Sequence, residues 1–576
     1  MKEIANESAL ALGPEQRHSP LNSKASIPNT SSGQVEVFDA VVIGAGFAGL
    51  YALHRLRDQM GLSARVFDVA SDVGGTWYWN RYPGARCDIE SIHYSYSFSA
   101  ELQQEWTWSE RFSAQPEILR YLNHVADRFD LRKDIQFNTR ITSLVWNEKN
   151  KFWEVGTNDG IIARGKYIIA GTGNLSVAKA PEFKGVENFK GEVYLTGNWP
   201  HEGVDFTGKR VGVIGAGASG IQAITEIAKE AAHLTVFQRT PNYATPIGNA
   251  PMDTESTRQT KDHYAEIRTK SRNSFLGVPY DQVLPSALAV SAEERRRVYA
   301  ERYVQGGFRL FIDSFADLLF NKEANETAAE FVRAKIRERV KDPKVADMLT
   351  PKDYPYGTKR PPLETNYYET YNRDNVTLVD IKSTPIEMIT NQGIRTTSGE
   401  YELDAIVLAI GFDAITGPLL QMGIVGRNGL KLEDKWANGP LTYLGIASHG
   451  FPNLFFITGP QSPSVLYNMP LAIEDHVDFA TDAIRYLRDH DLDTIEPTLE
   501  AETQWVAHAY DLSQQTLMPG TDSWYMGANI PGKPRVCMLY LGGAPAYRKI
   551  CADVEANGYE GFTLDRTVAK SIATTT

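Results

Sequence analysis

Two stretches of this chain have a residue spacing that could do chemistry. Gly44, Gly46 and Gly49 in "VVIGAGFAGL" follow the pattern G-x-G-x-x-G, and so do Gly215, Gly217 and Gly220 in "GVIGAGASGI". The spacing suits phosphates. The first glycine makes a tight turn, the second lets backbone approach a pyrophosphate, and the third lets helix and strand pack closely. The phosphates then sit at a helix N-terminus, where unpaired N–H groups point outward. The strands that follow end differently. "SARVFDVA" reaches Asp68, near the ~20-residue separation expected of an acid that binds ribose hydroxyls. "LTVFQRT" ends in Gln238, Arg239 and Thr240. A guanidinium there pairs with a 2′-phosphate, which a carboxylate would repel. The pairing that follows is FAD at the first loop and NADPH at the second.

These loops need strands and helices to hold them. Ala40–Ile43 is an apolar run before the first loop, and a helical pattern follows it. "KRVGVIGAGASGIQAITEIAKE" repeats that design. The expected fold is α/β, with two Rossmann-like dinucleotide-binding domains and a helical insertion. The expected division is a disordered tail over 1–36, a first part of the FAD domain over 37–177, and an NADP domain over 178–412. The helical insertion falls at about 250–350 within it. Residues 413–576 complete the FAD domain and the C-terminal region. "FRLFIDSFADLLF", broken by Asp313, Ser314 and Asp317, reads as an amphipathic helix.

Composition excludes several classes. The 576 residues are 42% hydrophobic and 23% charged, as in an ordinary globular protein. The net charge of −12 argues against nucleic acid and anionic membranes as partners. No run of about 18 apolar residues suggests a membrane span. Residues 1–36 lack the apolar core of a secretory signal, and their acids disfavour a transit peptide. Cys87, Cys537 and Cys551 form no C-x-x-C pair, so neither a dithiol centre nor a zinc knuckle is indicated. A reducing, cytoplasmic location fits, for a monomer or homodimer without metal.

With no dithiol to receive hydride equivalents from a flavin, the remaining destination is O2. The segments "GAGFAG", "GGTWYWNRYPGARCD", "FKGEVYLTGNWP", "GAGASG", "YGTKRPP", "NYYETYNRDNV", "GPQSPS" and "DSWYMGANIPGK" carry a family pattern. From about Phe38 to Phe562 the chain resembles the Baeyer–Villiger monooxygenases, in particular the phenylacetone, steroid and cyclohexanone monooxygenase group. The resemblance implies FAD, NADPH and a C4a-peroxyflavin that turns a hydrophobic ketone into an ester or lactone. It implies that Gly44, Gly46, Ala48 and Gly49 hold the FAD pyrophosphate and Asp68 its ribose. Thr76, Trp77, Trp79, Tyr94, Ile141 and Met469 would touch the flavin, and Arg86, Cys87 and Asp88 would mark its junction with nicotinamide. Gly215, Ala216, Gly217, Ala218, Ser219, Gly220 and Gln222 would hold the NADP pyrophosphate. Arg239, Thr240 and Lys359 would hold the 2′-phosphate, and Trp524 would lie near the nicotinamide ribose. Arg360 matches the catalytic arginine. Its cation would stabilise an anionic oxidant and then the tetrahedral adduct, with Asp88 orienting it.

The chain departs from the family at one place. The fingerprint F-x-G-x-x-x-H-x-x-x-W-P is matched by Phe189, Gly191, Trp199 and Pro200, but Leu195 stands at the histidine. Leucine neither donates nor accepts a hydrogen bond, so the imidazole's tether is gone. The expectation is an unchanged reaction type with altered NADP handling or more peroxide leakage. Oxygenation at sulfur or nitrogen, and a largely uncoupled NADPH oxidase, are the alternatives to the ketone reaction.

Overall fold

The structure, a computed structural model, describes residues 35–280 and 282–566. The expected tail lies outside the described residues except for its last two positions. Two sheets carry the architecture. Strand β1 (Glu36–Ile43) pairs in parallel with β2 (Ala64–Phe67), which pairs with β3 (Ile135–Gln136). On the other side of β1, β4 (Ser143–Asn147), β5 (Phe152–Thr157) and β6 (Gly160–Ala170) form an antiparallel meander whose last strand runs parallel to β1. The four C-terminal residues of β1 are buried, as a strand covered on both faces requires.

The second sheet is wholly parallel. Its first members are β7 (Glu192–Leu195), β8 (Arg210–Ile214) and β9 (His233–Gln238). Strand β10 (Val376–Asp380) lies beside β9, and β11 (Ala405–Leu408) lies between β8 and β7. The chain then returns to the first sheet, where β12 (Ile424–Val425) joins β4 and β13 (Leu454–Phe456) joins the end of β6. Each sheet is therefore completed by residues distant in sequence from its glycine loop.

Helices follow both loops. Helix α1 (Phe47–Leu53) follows β1, and α2 (Ala218–Glu230) follows β8. Between residues 254 and 349 the chain is helical, without a strand among the described residues. The amphipathic helix expected at 308–320 is instead a single turn, Arg309–Ile312. Tertiary pairing overrides the periodicity there. The fully buried Asp313 accepts the Gln282 N–H at 2.8 Å and an Arg309 N–H at 2.8 Å. Leu284 N–H donates to the Ser314 carbonyl at 2.9 Å, which draws the chain into an extended bridge. No described helix is long and apolar enough to cross a membrane.

Candidate active site

The first loop turns at Gly44, whose φ of +103° belongs to glycine. A Cβ on Gly49 would lie 1.7 Å from the Gly44 carbonyl oxygen, so α1 and β1 touch through backbone alone. Gly46 caps α1 without any side-chain hydrogen bond, leaving the helix N-terminus open to a ligand. Gly75 covers it from the facing loop, and Phe47 and Ala48 are buried. Asp68 lies at the end of β2 and is 8% exposed. Its carboxylate already accepts Ala45 N–H at 2.5 Å and Ala70 N–H at 2.7 Å, so it braces the loop as well as facing it. Burial raises its pKa, and the two backbone bonds oppose that rise.

The short helix Thr76–Trp79 sits over this loop. Trp77 Nε1–H donates to the Tyr94 hydroxyl at 3.2 Å, and the two rings meet edge to face. Ile141 is buried in the first sheet's core with Ile43 and Phe67. Met469 begins the helix Met469–Asp489. The residue before it, Asn468, is 1% exposed and its Oδ1 has no hydrogen-bond partner among the described residues. A buried acceptor of that kind fits a polar ligand.

The second loop repeats the turn. Gly215 has φ of +108°, and a Cβ on Gly220 would lie 2.3 Å from the Gly215 oxygen. Gly217, which caps α2 without a side-chain bond, has nothing within 4 Å of its Cβ position, and Gly217 and Ala218 are exposed. Ser219 is half-buried, and Asn242 Nδ2–H braces the loop by donating to the Ala216 carbonyl at 2.6 Å. Gln222, on α2, ties the two halves of the site together. It accepts the Tyr82 hydroxyl at 2.9 Å and donates to the Arg86 carbonyl at 3.1 Å.

Beyond this loop lie Arg239, Thr240 and Lys359. Burial lowers the Lys359 pKa, and the Arg239 charge lowers it further. Lys179, which the sequence did not single out, is depressed in the same way by burial and by Arg239. Among the described residues none of these three cations forms an ion pair. Lys359 instead lies 4.5 Å from the Tyr354 ring, and Lys179 donates to the Asn529 carbonyl at 2.8 Å. Three cations that act on one another without a close ion pair form a positive cluster, which suits an anionic ligand.

Asp88 and Arg360 meet across 272 positions of sequence. Arg360 Nε–H donates to Asp88 Oδ2 at 2.6 Å and an Nη2–H to Oδ1 at 2.7 Å, while Nη1–H donates to the Val465 carbonyl at 2.8 Å. The Phe308 ring lies 4.7 Å from the guanidinium carbon. Burial opposes the charge on Arg360, but Asp88 outweighs it and raises the pKa, so the cation persists at any working pH. Local structure explains the placement. Arg86 and Ala114 form an extended bridge, and Cys87 N–H donates to the Ser113 carbonyl at 3.1 Å, fixing the backbone before Asp88. The Arg86 side chain meets Glu110 and the Phe112 carbonyl. Cys87 is buried, and burial, then Asp88, pushes its thiol pKa up. Before Arg360, Gly357 turns with φ of +81° against the Phe311 ring, and Thr358 accepts the Thr521 hydroxyl at 2.8 Å.

Arg360 opens on a cavity of ≈ 30 Å³ with largely apolar walls, among them Leu276, Phe308, Phe311, Val465, Leu466 and Tyr467. That is room for about one water. Leu276, Val278, Phe308, Phe311 and Ile312 come from the helical insertion, where sequence reasoning had found no chemistry. Trp524 is partly buried against Tyr525, their ring centroids 4.5 Å apart.

Leu195 ends β7 and is 5% exposed. It belongs to an apolar cluster with Phe189, Ile214, Phe237, Ile406 and Leu408. In this chain the fingerprint position is part of a sheet's core. Contact with the other half of the molecule comes instead from Trp199, whose N–H donates to the Trp79 carbonyl at 3.4 Å, and from His201, whose ring lies 4.6 Å from that of Tyr78.

Comparison with known proteins agrees with this geometry. The model of the flavin-binding monooxygenase-like family matches residues 39–245. The chain is 46% identical to a Baeyer–Villiger monooxygenase from Pseudooceanicola batsensis, over 92% of this chain and 97% of that protein. It is 43% identical to a cyclohexanone 1,2-monooxygenase from Acinetobacter, over 92% and 96% respectively. The solved structure of OTEMO in complex with FAD and NADP superposes with a TM-score of 0.89 at 43% identity, covering 92% of this chain and all of that one. A chain with two nucleotide loops, an arginine held in an apolar pocket and relatives matched along nearly their whole length belongs to the Baeyer–Villiger monooxygenases, enzymes of FAD and NADPH.

Proposed function

We propose that the Arg360–Asp88 pair is the centre at which this enzyme converts a hydrophobic ketone to an ester or lactone. The observation that carries the reading is a guanidinium held on one edge by a carboxylate and opening with its other edge on an apolar cavity. Bound FAD, once reduced by NADPH, supplies the activation of O2. The chain does the rest. Arg360 stabilises negative charge on the attacking oxygen and on the carbonyl oxygen as the carbonyl carbon becomes tetrahedral. Asp88 fixes its direction, and Phe308 beneath it keeps water from one face. The apolar wall excludes water from the reacting atoms.

In this reading the first loop, Asp68 and the Thr76–Trp79, Tyr94, Ile141 and Met469 shell hold FAD. The second loop with Gln222 holds the NADP pyrophosphate, and Arg239, Thr240 and Lys359, joined by Lys179, hold the 2′-phosphate. Trp524 lies on the nicotinamide side. The domain division at about 177 and 412 belongs to the same reading and is supported by the strands that complete each sheet. A cytoplasmic monomer or homodimer without a nucleic-acid partner is consistent with the charge and the three unpaired cysteines.

The test is Arg360→Ala, with ester, NADPH and hydrogen peroxide measured together over a ketone panel. The expected outcome is ester below detection, flavin still reduced by NADPH, and peroxide equal to the NADPH consumed. Equal ester yield in the variant would defeat the assignment. Sulfoxide or N-oxide as the sole product of the unaltered enzyme would replace the substrate class.

A further inference from the structure

Tyr525 shares the cavity with Arg360. It lies in the short turn Trp524–Met526, and its carbonyl accepts Met538 N–H at 2.8 Å, which pins its backbone. The side chain is 1% exposed. Its hydroxyl faces the Arg360 guanidinium, close enough to interact with it but outside good hydrogen-bond geometry, and no acceptor for its proton stands among the described residues. Burial pushes the phenol pKa up against the pull of Arg360, so the group keeps its proton and is a donor.

An unpartnered buried hydroxyl is rare, and it points to a missing acceptor. The walls offer none, being largely apolar. Arg360 is also incompletely used. Its three bonds to Asp88 and Val465 leave two of the five guanidinium N–H donors. A phenol O–H without an acceptor and a cationic N–H beside it therefore share one small space.

We propose that Tyr525 is a second catalytic donor, which hydrogen-bonds the carbonyl oxygen of the ketone together with Arg360. The two donors fix which face of the carbonyl is presented. They also strengthen as that oxygen gains negative charge, so Tyr525 acts more on the transition state than on binding. The proposal rests on the ketone reading of the same site.

The experiment compares Tyr525→Phe with the unaltered holoenzyme on a ketone and on a thioether. A thioether presents no carbonyl oxygen, so a purely structural role would move both reactions alike. The expected result is a fall of about tenfold to a hundredfold in kcat/KM for ester formation. Sulfoxide formation and flavin reduction should change less than about twofold. A parallel fall of ester and sulfoxide would assign Tyr525 to packing and overturn the proposal, as would ester formation within twofold of the unaltered enzyme. Should the unaltered enzyme make sulfoxide but no ester, the ketone reading fails first and takes the proposal with it. A measurement on the unaltered protein stands apart from the variant's folding. The infrared carbonyl stretch of a ketone bound to the oxidised, NADP-loaded enzyme should lie below its frequency in water. A stretch at or above the water value overturns the two-donor arrangement.

Discussion

The two glycine loops make the same turn and shelter it differently. Gly44 and Gly215 differ by only 5° in φ (+103° and +108°), and in each loop a Cβ on the third glycine would collide with the first glycine's oxygen. Around that shared turn the surroundings diverge. The first loop is faced by Gly75, lined by buried Phe47 and Ala48, and braced by Asp68. The second leaves Gly217 and Ala218 in the open, and the strand after it ends just before Arg239, which forms no ion pair among the described residues. On the proposed reading each turn takes a phosphate, and what covers the turn decides how long its ligand stays. A covered loop suits a cofactor that stays, and an open one suits a coenzyme that arrives and leaves.

The strongest way to break this comparison is Gly49→Ala. The added methyl meets backbone at 1.7 Å, which no rotamer relieves, so a loss of about 3 kcal/mol or more in stability is expected, with FAD absent from whatever protein is recovered. Thermal unfolding and the flavin spectrum read it, and a fully loaded variant of ordinary stability would contradict the close-packed turn. Next come the cations. Lys359→Ala and Arg239→Ala should each raise the NADPH Kd about tenfold to a hundredfold, with NADH affinity and FAD content nearly constant. An equal effect on NADH would remove the 2′-phosphate from the argument.

Gly217→Ala sharpens the comparison at a smaller scale. Its φ of −80° suits alanine and the space is free, but glycine is the better N-cap, so the two effects offset and stability should change by less than about 0.5 kcal/mol. NADPH affinity should nevertheless fall about tenfold, because the methyl stands where phosphate approaches. Titration calorimetry beside thermal unfolding separates the two effects. The smallest effect is on pH. Lys359 and Lys179 have lowered pKa values, by burial and then by Arg239, so they lose their protons at lower pH than ordinary lysines. NADPH affinity should weaken as pH rises through that lowered range, by a few-fold, and NADH affinity should stay flat. A flat NADPH profile would show the lysines to be bystanders.

The loops were legible because strand, turn and helix lie within about 30 residues, and local pattern reports local structure. The positions of Asp68 and Arg239, each just past the end of its strand, were legible for the same reason. Asp88 and Arg360 were not. They meet only because loops 272 positions apart converge, so family resemblance alone marked them. Tyr525 and Lys179 gave no signal, since an unpartnered hydroxyl or a neighbouring cation exists only in three dimensions. Leu195 shows the opposite limit. Its departure from the fingerprint was plain, but whether it left a missing tether depended on its neighbours, and these are apolar. The stretch at 308–320 had helical periodicity and still broke, because Asp313 found partners outside its own segment.

Part of the cavity wall and the charge it faces come from separate stretches of chain. Leu276, Phe308 and Phe311 belong to the insertion, while Arg360, Asp88 and both glycine loops belong to the nucleotide-binding frame. The choice of molecule can thus drift, by evolution or by design, while the machinery that handles electrons stays as it is. Phe308 is the exception, because its ring also lies against Arg360, and a change there would alter selectivity and reactivity together.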